Sequence, residues 1–341
     1  MKILLYSDLH ISKTASIMPI QIDNSKFTFR QQKIIELGKL LSKSIKDNNI
    51  DLIINCGDTF DSQINDSSNI ECTSEFFKQF NDINIPHYLI VGNHEMLNDK
   101  FNSVSILNNI NNIKVIREPQ IFNIDNKEFA FMPYQDYRDI KELPNGDFLF
   151  SHIDIEGSPL NDKVILPGLN KSILKKYKLV FNGHVHKDSI IENVINLGSC
   201  TTHSFSDAND FIPKYYIFDS DTFNLTPYKI NLFPLFRKIE INNIEELNNY
   251  LSKLNNNYSY ILNINCPFEL KDSIQEILSK DNNIINYKIT TKISEKLNEN
   301  IEKPIVDVNN NIDIKKEFDN FIKTQDLSYP INLYQDIINN I

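Results

Sequence analysis

The sequence predicts an α/β fold, and three observations carry the prediction. Short apolar runs recur along the first 230 or so residues, most of them end in a polar cluster, and the stretches between the early ones have helical periodicity. The first run, residues 2–6, shows no polar alternation, as expected of a strand covered on both faces, and ends in Ser7-Asp8-Leu9-His10. Over residues 28–47, Ile34, Leu37, Leu41 and Ile45 recur at spacings of three and four, which predicts an amphipathic helix. Residues 51–55 form the next strand, ending in Gly57-Asp58. A polar loop through Ser67-Ser68-Asn69 then leads to a second helix over 71–83, and residues 87–91 form a third strand ending in Gly92-Asn93-His94-Glu95. The pattern continues with residues 129–132, with 147–150 ending in Ser151-His152, and with 179–181 ending in Asn182-Gly183-His184-Val185-His186. Residues 194–197 and 215–218 read as hairpin strands that complete a sheet, with Asp219-Ser220-Asp221 as a tight turn.

Near Phe233-Pro234 the character changes, and no further histidine appears. Residues 237–293 read as strand, helix, strand, helix, strand, a small α/β domain of its own. Residues 295–311 are an Asn- and Glu-rich linker. Two short amphipathic segments follow, one with Ile314, Phe318, Phe321 and Ile322 on a face, the other with Tyr334, Ile337, Ile338 and Ile341. Neither is long enough to be a stable helix alone in water, and the long polar linker before them favours docking on a partner. The expected division is 1–233, 234–294, 295–311 and 312–341.

Composition narrows the function classes. Lys and Arg number 35 against 45 Asp and Glu, a net charge of −10 that excludes a generally basic nucleic-acid coat. No apolar run approaches a membrane span, and the opening residues reach Ser7-Asp8 too soon for a signal-peptide core, so a cytoplasmic protein without membrane contact is expected. The four cysteines, Cys56, Cys72, Cys200 and Cys266, form no C-x-x-C pair and read as reduced, buried thiols.

Five of the seven histidines (His10, His94, His152, His184 and His186) sit in polar clusters directly after apolar strands. Ligands in open α/β sheets collect beyond the carboxyl ends of strands, so clusters far apart in sequence can meet in one crevice. Asp8, His10, Asp58, Asn93, His152, His184 and His186 offer oxygen and imidazole nitrogen without thiolate, which suits manganese, iron or zinc better than a calcium cage. A dinuclear site is expected, with Asp58 bridging, since one carboxylate can give an oxygen to each ion. His184 and His186, two apart at a strand end, can address different ions. Two divalent ions bring about +4, and two carboxylates with a bridging hydroxide about −3, so an acidic chain can still present a positive pocket to a phosphodiester.

The ordered set SDLH, GDTF, GNHE, SH and GHVH resembles the calcineurin-like metallophosphoesterase superfamily over residues 1–228. The resemblance implies a two-sheet β-sandwich flanked by helices. GDTFD, the helix-rich span between the first two motifs, INLGS after GHVH, the small second domain and the length resemble SbcD-type recombination nucleases, particularly short phage versions. That resemblance implies that Asp8, His10, Asp58 and His186 hold one metal, and Asp58, Asn93, His152 and His184 the other, with manganese the usual ion and magnesium, iron or zinc as alternatives. His94 is implied to be a catalytic histidine that contacts the scissile phosphate without binding metal. It also implies 3′-to-5′ exonuclease action on duplex DNA ends, endonuclease action on single strands, a cap that contacts DNA, and a dimer formed through the core. The C-terminal helices would bind an SMC-like coiled-coil ATPase in DNA repair and recombination.

GNHE also occurs in phosphoprotein phosphatases, but GDTFDS stands where those carry Asp-Arg-Gly and SHIDIEG where they carry His-Gly-Gly, which favours the nuclease. Some nucleases have histidine at the position of Asp61. A phosphatase and a non-catalytic architectural subunit remain the alternatives. His87 reads as a strand-edge residue, His203 as a loop residue outside the catalysis, and Lys163, Lys171, Lys175, Lys176 and Lys178 as a solvated face.

Overall fold

The computed structural model describes residues 1–14, 20–98, 101–160, 164–205 and 211–292. The linker and tail expected over 295–341, together with Lys163, lie outside the described residues.

Two six-stranded sheets and a separate three-stranded sheet make up the described chain. The first large sheet is built on four parallel strands, β1 (Lys2–Tyr6), β2 (Leu52–Asn55), β3 (His87–Ile90) and β4 (Ile113–Ile116). The second begins with β5 (Gln120–Ile124), antiparallel to β6 (Lys127–Met132), and runs on through β7 (Phe148–Ser151) and β8 (Leu179–Asn182). The hairpin β9 (Ser189–Ile191) and β10 (Val194–Asn196) closes it, with β10 against β8. The chain then returns to the first sheet as β11 (Lys214–Asp219), antiparallel to β1, and β12 (Asn224–Lys229).

Because successive side chains of a strand point to opposite faces, each apolar run feeds two cores. Ile3, Leu5 and Ile54 point between the sheets, where they meet Phe129, Phe131, Phe148, Phe150 and Phe181. Each aromatic buried there contributes roughly 1.5–3 kcal/mol. The alternate residues Leu4, Tyr6, Ile53 and Leu89 pack outward against α1 (Phe29–Asn48) and α2 (Ser67–Lys78) through Ile34, Leu37, Leu41, Phe76 and Phe77. Thr28 caps α1 with Gln31 in a reciprocal capping box. The Ser67-Ser68-Asn69 stretch, expected to be loop, is the first turn of α2, because Asp66 accepts from the Asn69 amide as its N-cap. Among the described residues no α-helix covers the outer face of the second sheet; Leu143, Leu169, Leu174 and Tyr177 from loops and a short 3₁₀ helix pack there on Leu149 and Val180.

The third sheet, β13 (Leu235–Glu240), β14 (Tyr260–Pro267) and β15 (Ile284–Lys292), is parallel, with α3 (Ile244–Ser252) and α4 (Lys271–Ser279) as crossovers. It has a core of its own around Leu235, Leu247, Leu262, Ile264 and Ile274. All four cysteines are buried free thiols. His87 opens β3 between β2 and β4 and is buried, hydrogen-bonded to the Tyr6 hydroxyl at 2.9 Å, so it belongs to the core. No helix among the described residues is long and apolar enough to cross a membrane.

Candidate metal centre

The loops leaving β1, β2, β3, β7 and β8 meet at one end of the sandwich and bring all seven expected donors together. The turns that do this use unusual backbone. Asp8, His10, Asp58 and His184 all have left-handed φ, between 45° and 72°, at a cost of about 1–2 kcal/mol for each non-glycine residue. Glycines let the loops interlock. A Cβ on Gly92 would strike the Asp58 carboxylate, and one on Gly183 would strike the Cys56 carbonyl and the Ser7 hydroxyl.

Glu95 ties two of these loops, accepting from the amides of Gly92 (2.6 Å) and Phe60 (3.0 Å); burial pushes its carboxyl up to about 8. Buried Arg30, from α1, donates to the carbonyls of His10 (2.9 Å) and Thr202 (2.6 Å), which fixes the first loop against the segment after β10.

The donors form two groups that meet at Asp58. In one, His10 Nε2 lies 3.0 Å from His186 Nε2, 3.9 Å from Asp8 Oδ1 and 3.8 Å from Asp58 Oδ2. In the other, His152 Nε2 lies 3.2 Å from Asp58 Oδ2 and 3.1 Å from Asn93 Oδ1, which is itself 3.0 Å from His184 Nδ1. His184 and His186 therefore serve opposite groups.

The far nitrogens decide what these contacts mean. His152 Nδ1 donates to the Cys56 carbonyl at 2.7 Å, and His184 Nε2 donates to Asp154 Oδ1 at 2.9 Å. A neutral ring with one nitrogen donating outward turns a lone pair inward, so on His184 a lone pair faces the oxygen of Asn93, while His152 turns one inward only once its Nε2 gives up the proton that Asp58 holds there. Such an array needs positive charge among its members. The carboxylates repeat the demand: Asp8 Oδ2 is buried with no hydrogen-bond partner, and among the described residues Asp8 and Asp58 pair with histidines, not lysine or arginine. Burial opposes charge on Asp58, yet the neighbouring imidazoles, His152 first, hold it well below the usual carboxylate range. Burial also opposes charge on His152, which Asp58 nonetheless raises to about 10, while burial holds His10 well below the histidine range. The nitrogen and oxygen donors, the His184 lone pair turned toward Asn93 and the orphaned carboxylate oxygen all fit divalent cations, which would take the place of the proton on His152.

His94 stands at the rim of this array. Its backbone amide donates to Asp58 Oδ1 (3.0 Å), its ring meets His10 edge-on at 4.7 Å between centroids, and Nδ1 donates to the Asp61 carbonyl at 2.9 Å. His203, expected to be outside the catalysis, is a loop residue, but its ring stacks on His10 at 4.8 Å and its Nε2 lies 3.2 Å from Asp61 Oδ1. Asp154 and Tyr134, whose ring is 5.9 Å from that of His184, also belong to the site and were not expected there. Asp61 and Asp154 follow motif residues Asp58 and His152 by three and two positions, a signal available in the sequence; His203 offered none. The lysines behave as a solvated face: Lys171 and Lys175 pair with Glu192, and Lys178 with Asp147.

A family model for calcineurin-like phosphoesterases matches residues 1–188, more than half of the chain. The chain belongs to the calcineurin-like phosphoesterase family. A metallophosphoesterase of this family hydrolyses phosphate esters at a dinuclear divalent-metal site, and the two donor groups are candidate ligands for one. Exonuclease subunit 1 of Enterobacteria phage T4 is 28% identical to this metallophosphoesterase over 237 residues, 65% of this chain and 66% of the phage protein. The match thus spans just under two thirds of that relative's length. Among solved structures, nuclease MPE of Pseudomonas putida is 16% identical, with a TM-score of 0.31 over 66% of this chain and 87% of that one. An archaeal phosphodiesterase is 18% identical, with a TM-score of 0.37 over 67% of this chain and 100% of that one.

Proposed function

We propose that this metallophosphoesterase is a DNA nuclease, acting 3′-to-5′ on duplex ends and as an endonuclease on single strands. The observation that carries the reading is the placement of Asp58 between two groups of nitrogen and oxygen donors. Asp8, His10, Asp58 and His186 would hold one divalent cation and Asp58, Asn93, His152 and His184 the other, manganese first among the candidates. Two such cations would supply the charge that polarises a phosphodiester and lowers the pKa of water. His94, with Nδ1–H held on the Asp61 carbonyl, would as the imidazolium give its Nε2 proton to the leaving oxygen and be left as the neutral Nδ1–H ring. Similarity to the phage exonuclease subunit, together with GDTFDS and SHIDIEG in place of phosphatase motifs, supports DNA as the substrate.

In this reading residues 1–233 are the nuclease core, which also dimerises, and 234–294 are a cap on the DNA. Residues 295–311 are a linker, and 312–341 a tail that binds an SMC-like coiled-coil ATPase. The complex would serve DNA repair and recombination in the cytoplasm, the host's if the gene is carried by a phage. Purified protein with manganese should degrade duplex DNA and leave p-nitrophenyl phosphate nearly intact. The reverse preference would make it a phosphatase, and a metal-loaded protein that cuts no DNA even with its ATPase would make it architectural. Removing residues 312–341 should leave the core folded and abolish co-elution with the ATPase.

A further inference from the structure

Each donor group is backed by one outer carboxylate, and the two address opposite nitrogens. Asp61 Oδ1 lies 3.3 Å from His10 Nδ1, a charge contact not aligned as a hydrogen bond, so that Nδ1 is buried without a hydrogen-bond partner, while His10 Nε2 faces His186, Asp8 and Asp58. Asp154 Oδ1 lies 2.9 Å from His184 Nε2, while His184 Nδ1 faces Asn93. Asp61 is itself flanked by His203 Nε2 at 3.2 Å on the same carboxylate oxygen, which holds that oxygen between two rings. Asp61 is about one quarter exposed and Asp154 about one fifth, so both stand at the edge of the site with their partners inside it.

We propose that Asp61 and Asp154 are positioning residues, one for each donor group, that fix His10 as the Nδ1–H tautomer and His184 as the Nε2–H tautomer. This rests on the two-cation reading of the site and deepens it. A carboxylate on the far nitrogen of a metal-binding imidazole sets which lone pair points inward, aligns the ring and strengthens it as a donor. Opposite tautomers follow from opposite approach: His10 enters from the loop after β1 with Nε2 leading, and His184 from the loop after β8 with Nδ1 leading. Asp61 has a second duty through its main chain, because its carbonyl takes the Nδ1–H of His94. Substituting the Asp61 side chain therefore separates the two duties, since the carbonyl survives.

The test uses the full chain labelled with ¹⁵N-histidine, first without metal. Long-range ¹H–¹⁵N spectra should show His10 protonated at Nδ1 and His184 at Nε2. Asp61→Ala should disturb His10, and His203 on the same carboxylate oxygen, and leave His184 unmoved; Asp154→Ala should disturb His184 and leave His10 unmoved. Asp61→Asn and Asp154→Asn, whose amide oxygens still accept, should keep the parent tautomers. Titration with manganese should then show each alanine variant weakening one of two equivalents by about 10–100-fold and leaving the other, with the asparagine variants between alanine and parent. The same tautomer for both rings in the parent, or tautomers and both affinities unmoved by the alanine changes, would overturn the proposal. Tautomers that follow the variants in a chain that takes up no manganese would uphold the positioning and reject the two-cation reading instead.

Discussion

The loop end of the sandwich and the three-stranded sheet of β13, β14 and β15 are built on opposite terms. Both lie on parallel strands, yet the first concentrates buried carboxylates, imidazoles and left-handed backbone, and the second buries Leu235, Leu247, Leu262 and Ile274 with no histidine at all. Local rules are broken where donors must converge and kept where packing alone decides. A site of this kind is stable only because the sheets behind it over-determine the loops, so its chemistry and its stability should respond to different substitutions.

The largest effect should come from Asp58, the residue both donor groups share. Asp58→Ala should lose bound manganese and depress cleavage further than any other single change; two full equivalents by elemental analysis would contradict its shared role. His94→Ala should retain both equivalents while slowing DNA cleavage by about 10²–10⁴-fold, and an unchanged rate would remove His94 from the chemistry. On the other side of the comparison, Leu262→Ala in the fully buried core of the third sheet should cost about 2–5 kcal/mol in denaturant unfolding. Manganese stoichiometry should not move, and its loss would show that the two regions are one energetic unit.

A smaller effect separates core histidine from site histidine. Burial against Tyr6, Phe77 and Phe80 lowers His87 from an ordinary 6.5 to about 3. The unfolded chain then binds a proton there that the folded chain refuses, so this stability is full above pH 6.5 and is lost as pH falls toward 3. The slope is about 1.4 kcal/mol per pH unit. His87→Gln should flatten that slope in urea melts across pH 4–6 without changing metal uptake; an equal slope in both proteins would assign the acid sensitivity elsewhere.

How much of this was legible in the sequence follows from burial. Central strands β1, β2, β3, β6, β7 and β8 read clearly because both faces are covered and their apolar runs are unbroken. Strands β4, β5 and β9, which carry no clear sequence signal, are all sheet edges, and β12, a fourth edge, is signalled only by the turn before it. With one neighbour and a partly exposed face, Gln120–Ile124 and Ser189–Ile191 carry no run long enough to notice. The convergence of the seven candidate donors is readable because each follows a strand, and convergence at strand ends is a property of the fold. His203 was not, since nothing in its local sequence says that the segment after β10 folds back over His10.

The central claim is that two cations share Asp58, and an anomalous-scattering map from crystals grown with manganese tests it most directly. Two peaks are expected, one among Asp8, His10 and His186 and one among Asn93, His152 and His184, with an Asp58 oxygen at each. A single peak, or density away from these side chains, would contradict the account.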